Sequence, residues 1–380
     1  MTDDNTTHDT ITVAMLGAGA WADHAHIPGW QRDPRSEITV MCDVELDKAE
    51  AYAEKFDIPQ ATDDWEEAVT HPEVDVVDVA TPSSTHFELA MAALEADKHV
   101  LCEKPVAHDW EDTQRAAELA EQKDLKTKVG FTFRYSPGIQ YAKYLMDEEG
   151  FVGEPFIFNG YEQNSQFLDP DEPLRQEDPD ADQSEIQVAS IEGYGAPIID
   201  IGHWWAGAHY DRVVGRMMNF VPERRVREAD TDERIPMNID DGDTFIGEYE
   251  NGTLGTIQTS FVTVGNYPGV EARIYGSEGA IICRLVEEDG KAETIHTATK
   301  DDVEFEQREI PDRFYPEGGS NEESWRTLFY ANLIKDFIDE ITGVSDRNQG
   351  NFRDGVMVQQ SINAFEESHR NDEWTGVPDA

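Results

Sequence analysis

The apolar run Ile11–Leu16 meets Gly17-Ala-Gly19-Ala-Trp-Ala22, and a second apolar run, Ile38–Cys42, ends on Asp43. Few folds accept strand, glycine turn, helix, strand and acid in that order. The first glycine permits a sharp turn. The second lets backbone approach a pyrophosphate, and the small Ala22 lets the helix lie close to the strand. Free N–H groups at the helix N-terminus then face the phosphate charge. A carboxylate at the tip of the next strand can accept hydrogen bonds from both hydroxyls of an adenosine ribose. Gly17, Ala18, Gly19, Ala20, Trp21, Ala22 and Asp43 are therefore expected to bind a dinucleotide. Asp43 repels a 2′-phosphate and Val44 follows it, which favours NAD; Lys48 lies close enough to leave NADP open.

The pattern that this motif starts continues to residue 133. Strands are expected at Ile11–Leu16, Ile38–Cys42, Val74–Ala80, Val100–Cys102 and Lys128–Phe133. Helices are expected near Asp47–Phe56, Asp63–Val69, Ser84–Ala96 and Asp109–Lys123, with Asp63 and Glu66 as a capping pair. Such alternation gives a parallel sheet covered on both faces, with the carboxyl ends of its strands at one edge, where open α/β sheets bind ligands. Beyond it come a helix near Ile139–Met146 and a strand around Phe156–Tyr161. An acidic, proline-bearing stretch over 163–190 reads equally as a solvated insertion or an active-site lid. Short alternating runs then read as mostly antiparallel strands, at Thr244–Tyr249, Thr253–Phe261, Ala272–Tyr275 and Ala280–Leu285. Helical patterns return at Glu322–Ile341 and Arg353–Arg370. The expected organisation is an acidic disordered tail (1–10), a Rossmann NAD(P)-binding domain (11–133), and an α+β domain with one large, mostly antiparallel sheet (134–380).

Charge narrows the partners. With 80 acids against 30 bases the chain carries −50, a surface that repels nucleic acid and anionic lipid. Periodic segments and 38% hydrophobic content argue against wholesale disorder. The reading that fits is a halophile's protein, stable where molar salt shrinks the Debye length to about 3 Å. Lysine is scarce, 11 against 19 arginines. Cys42, Cys102 and Cys283 are scattered and read as reduced core thiols, so no metal site is expected. No apolar run approaches a membrane span, and the start lacks an export signal, so a cytoplasmic location is expected.

The third expected strand runs into Thr81-Pro-Ser-Ser-Thr-His86, the fourth into Glu103-Lys-Pro105, and Gly130-Phe-Thr-Phe-Arg134 follows. With Gly17–Ala22, and with Asp240-Asp-Gly-Asp-Thr-Phe, Glu250-Asn-Gly-Thr-Leu-Gly255 and Ile274-Tyr-Gly-Ser-Glu-Gly-Ala280 later, the chain resembles the glucose–fructose oxidoreductase / inositol dehydrogenase (Gfo/Idh/MocA) family. The resemblance covers nearly everything beyond residue 10. It implies an NAD(P)-dependent oxidoreductase acting on a sugar or polyol, and a second domain whose open sheet often packs against a partner subunit, as homodimer or homotetramer. It places Lys104 between nicotinamide ribose and the reacting hydroxyl. Thr81, Pro82, His86 and Glu103 fall beside the cofactor and Arg134 among the substrate-binding residues, and the Lys104–Pro105 bond is expected cis. The residues support Lys104 independently. Hydride transfer needs a group that takes the hydroxyl proton, and a lysine shielded from water is a usable base.

One element departs from the family. Members usually carry Asp-x-Gly-x-His-x-x-Asp, whereas this chain reads Asp200-Ile-Gly202-His203-Trp-Trp-Ala. The histidine comes one position early and the second acid is missing. On a helix Asp200 and His203 still converge, although one position swings a side chain by about 100°. Asp200 and His203 are expected to join Lys104 in catalysis and Arg134 in holding substrate. Two other readings remain open: a glycoside hydrolase that uses NAD transiently, and a dinucleotide-binding regulator without turnover.

Overall fold

The computed structural model describes residues 10–174, 184–227, 233–265, 268–288 and 291–379. The acidic tail lies outside them except for Thr10, as does 175–183 of the acidic stretch. The chain forms two compact units, Met1–Thr132 with Trp325–Val356, and Phe133–Ser324 with Met357–Ala380.

In the first unit β1 (Ile11–Leu16) leads through the glycine loop into a π-helical turn, Ala22–His26, and α1 (Ile27–Arg32). Then follow β2 (Ser36–Cys42), α2 (Leu46–Phe56), β3 (Gln60–Thr62), α3 (Trp65–Thr70), β4 (Val76–Val79), α4 (His86–Glu95), β5 (His99–Cys102), α5 (Trp110–Gln122) and β6 (Thr127–Val129). The six strands pair in the order β3-β2-β1-β4-β5-β6, all parallel. This is the order of a Rossmann sheet, whose reversal point lies between β1 and β4. β4 is buried throughout and β1 nearly so, as strands covered by helices on both faces must be. Register aligns Leu16 with Cys42 and Val79, and Cys102 with Val79 and Val129. Asp43, Gly17, Thr81, Glu103 and Gly130 consequently follow strands that end together.

Three local expectations move. Asp64, in extended conformation, caps α3 by accepting from the Glu67 N–H at 3.1 Å, so the cap falls one residue after Asp63. The strand expected over Lys128–Phe133 stops at Val129 and gives way to a 3₁₀ turn, Thr132–Tyr135. The helix Trp325–Ile341 packs on the π-helical turn and α1, so the chain returns to the first unit after a boundary read near residue 133.

The second unit holds α6 (Pro137–Asp147), β7 (Pro155–Gln163), α7 (Ala196–Ala206), β8 (Tyr210–Met218), the small pair β9 (Glu223–Arg225) and β10 (Arg234–Pro236), then β11 (Gly242–Tyr249), β12 (Leu254–Ser260), β13 (Pro268–Gly276), β14 (Gly279–Glu288), β15 (Lys291–Thr299), β16 (Glu306–Arg308) and β17 (Thr375–Gly376). Nine strands form one sheet, β16-β15-β14-β13-β7-β12-β11-β8-β17. Among the described residues of this sheet, β7 and β12 pair in parallel and the other neighbouring strands antiparallel. Helix α7 lies on β7, β12 and β13. It comes so close that a Cβ on Gly202 would sit 2.8 Å from the Phe158 ring. The three cysteines are buried and unpaired. Among the described residues no helix is long and apolar enough to cross a membrane.

Candidate active site

The glycine loop is shaped by contacts that only its residues permit. Gly17 sits at φ +102°, and a Cβ there would stand 2.7 Å from the Ala80 carbonyl oxygen. A Cβ on Gly19 would meet nothing within 4 Å, so this side of the loop is open for a ligand. Ala22 is fully buried, which brings the helix against the sheet. Asp43 holds the loop: Oδ2 accepts from the Ala18 N–H at 2.8 Å and Oδ1 from the Glu45 N–H at 3.0 Å. Lys48 is paired with Glu45. Backbone donors, an open glycine flank and a half-buried carboxylate after β2 fit the dinucleotide expected from the motif.

Along the same edge His86 bridges two loops, with Nε2 at 2.8 Å from the Thr81 carbonyl and Nδ1 at 2.7 Å from that of Pro105. Pro82 precedes a 3₁₀ turn, Ser83–Thr85, and the Thr81 hydroxyl accepts from Thr85 at 2.8 Å. The Lys104–Pro105 peptide is cis. Lys104 is half-buried, and its backbone N–H donates to Glu103 Oε2 at 3.2 Å. Glu103 also accepts from Trp21 Nε1 at 3.0 Å and from the Tyr330 hydroxyl. Burial alone would raise its pKa. The facing His26, the Lys104 charge and the Tyr330 hydroxyl reverse that and hold it down to about 2.

Two of these partners escape a motif search. His26 is fully buried, with Nδ1 2.9 Å from both oxygens of Asp78 and Nε2 3.3 Å from Glu103 Oε1. The second approach is a charge contact rather than a well-formed hydrogen bond. Burial opposes charge on this imidazole, but Asp78 and Glu103 outweigh it and push the pKa up to about 9. A charged residue amid Val76-Val77-Asp78-Val79 is the one signal the sequence carries for this network, since a buried carboxylate needs a partner.

In the second unit Arg134 and Asp200 form a buried bidentate pair. Arg134 Nε donates to Asp200 Oδ2 at 2.7 Å, and Nη2 donates to Oδ1. The guanidinium lies 5.1 Å from the centre of the half-buried Trp204 ring, and the Lys143 ammonium is 5.7 Å from it. His203 takes a different direction from Asp200. Its Nε2 lies 3.3 Å from Ser361 Oγ, and the rings of His209, Tyr210 and Tyr249 surround it at 5.2, 5.2 and 6.0 Å. Burial, then His209 and Arg134, keep its pKa well below the usual imidazole range. The structure thus brings Arg134 to Asp200 and packs His203 among aromatic rings. Trp204, one residue on, stands four positions after Asp200, where the family's pattern has its histidine.

The fold and the loop define a dinucleotide-binding protein. The profile described as "Oxidoreductase family, NAD-binding Rossmann fold" matches residues 11–131, and that of the same family's C-terminal alpha/beta domain matches 195–377. The chain belongs to this Gfo/Idh/MocA family. It is 28% identical over 259 residues to levoglucosan dehydrogenase of Pseudarthrobacter phenanthrenivorans, a match spanning 64% of each chain. It is also 28% identical over 205 residues to D-xylose 1-dehydrogenase (NADP(+)) of Haloarcula marismortui, 52% of each chain. These matches span under two-thirds of either relative's length. A crystal structure of an oxidoreductase domain protein from Kribbella flavida superposes with a TM-score of 0.85 at 26% identity, covering 97% of this chain and all of that one.

Proposed function

We propose that this protein is an NAD-dependent dehydrogenase of a sugar or polyol, acting as a homo-oligomer in a salt-rich cytoplasm. The observation that carries the reading is the alignment of Asp43, the Gly17 loop, Thr81 and Glu103-Lys104 along one sheet edge. When bound, NAD supplies a hydride acceptor at its nicotinamide ring. Lys104 takes the proton of the substrate hydroxyl as its carbon gives up hydride, leaving a carbonyl and a lysine ammonium. Asp43 receives the adenosine ribose, and the backbone from Ala18 to Ala22 receives the pyrophosphate. In the second unit the half-buried Trp204 ring lies against the guanidinium of the buried Arg134–Asp200 pair. The buried, uncharged His203 serves as packing, so proton transfer rests on Lys104 in this reading.

Other features support the remaining terms. Tyr275, Ile157 and Leu254 stand side by side across β13, β7 and β12 on a sheet face where Ile157 and Leu254 keep about two-fifths of their surface exposed. Such a patch suits a second copy of the chain. The net charge of −50 suits a salt-rich interior.

The test is NADH formation from NAD with levoglucosan, D-xylose and myo-inositol in about 3 M KCl. Turnover is expected with at least one of them, and a loss of about 10²–10⁴-fold in Lys104→Ala with NADH affinity retained. Absence of NAD binding, or a Lys104→Ala variant as active as the parent, overturns it.

A further inference from the structure

Within the first unit a line of charge runs from β4 to the end of β5. Trp30 Nε1 donates to Asp78 Oδ2 at 2.7 Å, Asp78 grips His26 Nδ1 at 2.9 Å, and His26 Nε2 reaches Glu103 Oε1 at 3.3 Å. Glu103 then accepts the Lys104 backbone N–H. Tyr330 lies over the imidazole with ring centres 4.3 Å apart and donates its hydroxyl to Glu103. Trp21 Nε1 donates to both Glu103 and Tyr330. A Cβ on Gly130 would collide with the Glu103 carboxylate, so that residue leaves the space the carboxylate fills. A dehydrogenase has no need to bury two acids and an imidazole merely to build a sheet. Well-packed apolar residues would do that without the desolvation penalty.

We propose that His26 is a positioning residue for Lys104: its imidazolium, anchored by Asp78, fixes the Glu103 carboxylate, which in turn fixes the backbone from which the Lys104 amine projects. The proposal rests on the reading of Lys104 as the proton-transfer group. Imidazole suits the task because its two nitrogens point to opposite ends of a rigid ring, so that when charged it hydrogen-bonds one carboxylate through Nδ1 and faces the other with positive charge at Nε2. A lysine or arginine at this position would carry the charge on a flexible stem. The groups facing His26 are Asp78 from β4, Glu103 from the end of β5 and Tyr330 from the helix Trp325–Ile341, with Lys104 next to Glu103. The Tyr330 hydroxyl stays protonated, because burial and the Glu103 charge raise its pKa well above the usual value. The contact between the imidazolium and Glu103 is lost as pH rises through the His26 pKa, which burial opposes but Asp78 and Glu103 push up to about 9.

Three measurements test this. Histidine-labelled NMR of the parent should show His26 titrating near pH 9, and Asp78→Asn should lower that midpoint. Amide hydrogen exchange at Lys104 should accelerate at least tenfold in His26→Asn. That variant should also keep NADH affinity within about threefold while turnover drops by up to about 10²-fold, the penalty of a small misplacement of a reacting group. Its pH profile should lack the alkaline limb that the parent shows as His26 deprotonates. A parent midpoint at or below 7, or unchanged Lys104 exchange in His26→Asn, overturns the proposal. If His26→Asn fails to fold, Asp78→Asn carries the exchange and turnover comparisons. NMR and exchange need no substrate, so they decide the role of His26 even if Lys104→Ala shows the dehydrogenase reading to be wrong.

Discussion

Replacing Arg134 by methionine strands a carboxylate. Asp200 has no exposed surface and Arg134 keeps 2%, so solvent does nothing to screen the charge left behind. Their two parallel N–H···O contacts, one of them 2.7 Å, form the bidentate geometry that makes such pairs strong. Removing one member of a buried pair costs about 3–5 kcal/mol, most of it the penalty of an uncompensated charge. In a unit of roughly two hundred residues, each kcal/mol lowers the melting temperature by about 2–4 °C, so Arg134→Met should melt about 6–20 °C lower. The paired change Arg134→Met with Asp200→Leu should recover most of that loss, because it buries no charge at all. Urea unfolding of all four proteins at fixed KCl closes the cycle and isolates the coupling. The functional half follows from the recovered stability. If the pair touches substrate, the double variant should fold well, bind NADH normally and lose kcat/KM for the sugar. An Arg134→Met variant within about 1 kcal/mol of the parent, the worth of an exposed ion pair, refutes the reasoning. So does a double variant no more stable than the weaker single one.

Further outcomes follow from other sites. Raising KCl from about 0.1 M to 3 M should raise the melting temperature and restore activity lost in dilute buffer; indifference to salt in both removes the halophilic reading. Asp43→Ser should weaken NAD binding about tenfold and narrow its preference over NADP, read by titrating both reduced cofactors against protein fluorescence. Glu293, fully buried, accepts from Ser136 Oγ at 2.7 Å and the Gly138 N–H at 2.9 Å, yet burial outweighs both bonds and lifts its pKa to about 7. The folded state thus holds a proton that the unfolded chain has shed, and stability falls as pH rises from 4.5 through 7. Glu293→Gln should flatten a fall of about 3 kcal/mol in urea titrations across that window. Leu254→Lys should convert an oligomer to monomer by light scattering, with NADH binding intact, if the β7–β12 face is an interface.

Much of the architecture was legible because its signals are local. The glycine loop, the apolar runs of β1, β2, β4 and β5, and the acid after β2 declare themselves within a few residues. Asp109 was readable as a helix start and caps α5 by accepting from the Glu111 N–H at 2.8 Å. Asp63 and Asp64 compete for one cap, and nothing in the spacing chooses between two adjacent acids. Short strands such as β3 and β16 depend on neighbours distant in sequence and carry no periodicity of their own. The site divides in the same way. Glu103 and Lys104 stand out by motif, but the partners that hold Glu103 are a histidine 77 positions before it and a tyrosine 227 after it. For Asp200 the helical rule proposed His203, only three residues on, while the structure supplies Arg134 from 66 residues upstream. A helical neighbour is a candidate, and the bidentate fork of a guanidinium is the better match for a carboxylate.

The return of residues 325–356 to the first unit has a consequence during synthesis. Lys128 is buried against Asp336 and Glu340, and Glu103 against Tyr330. At a ribosomal pace of about 5–20 residues per second, those counter-groups emerge roughly 10–40 s after the strands they complete. Throughout that interval the nascent nucleotide-binding half holds a lysine whose two carboxylates have yet to be made and a glutamate still lacking its phenol. The half that begins first thus waits for residues 325–356 before it is complete.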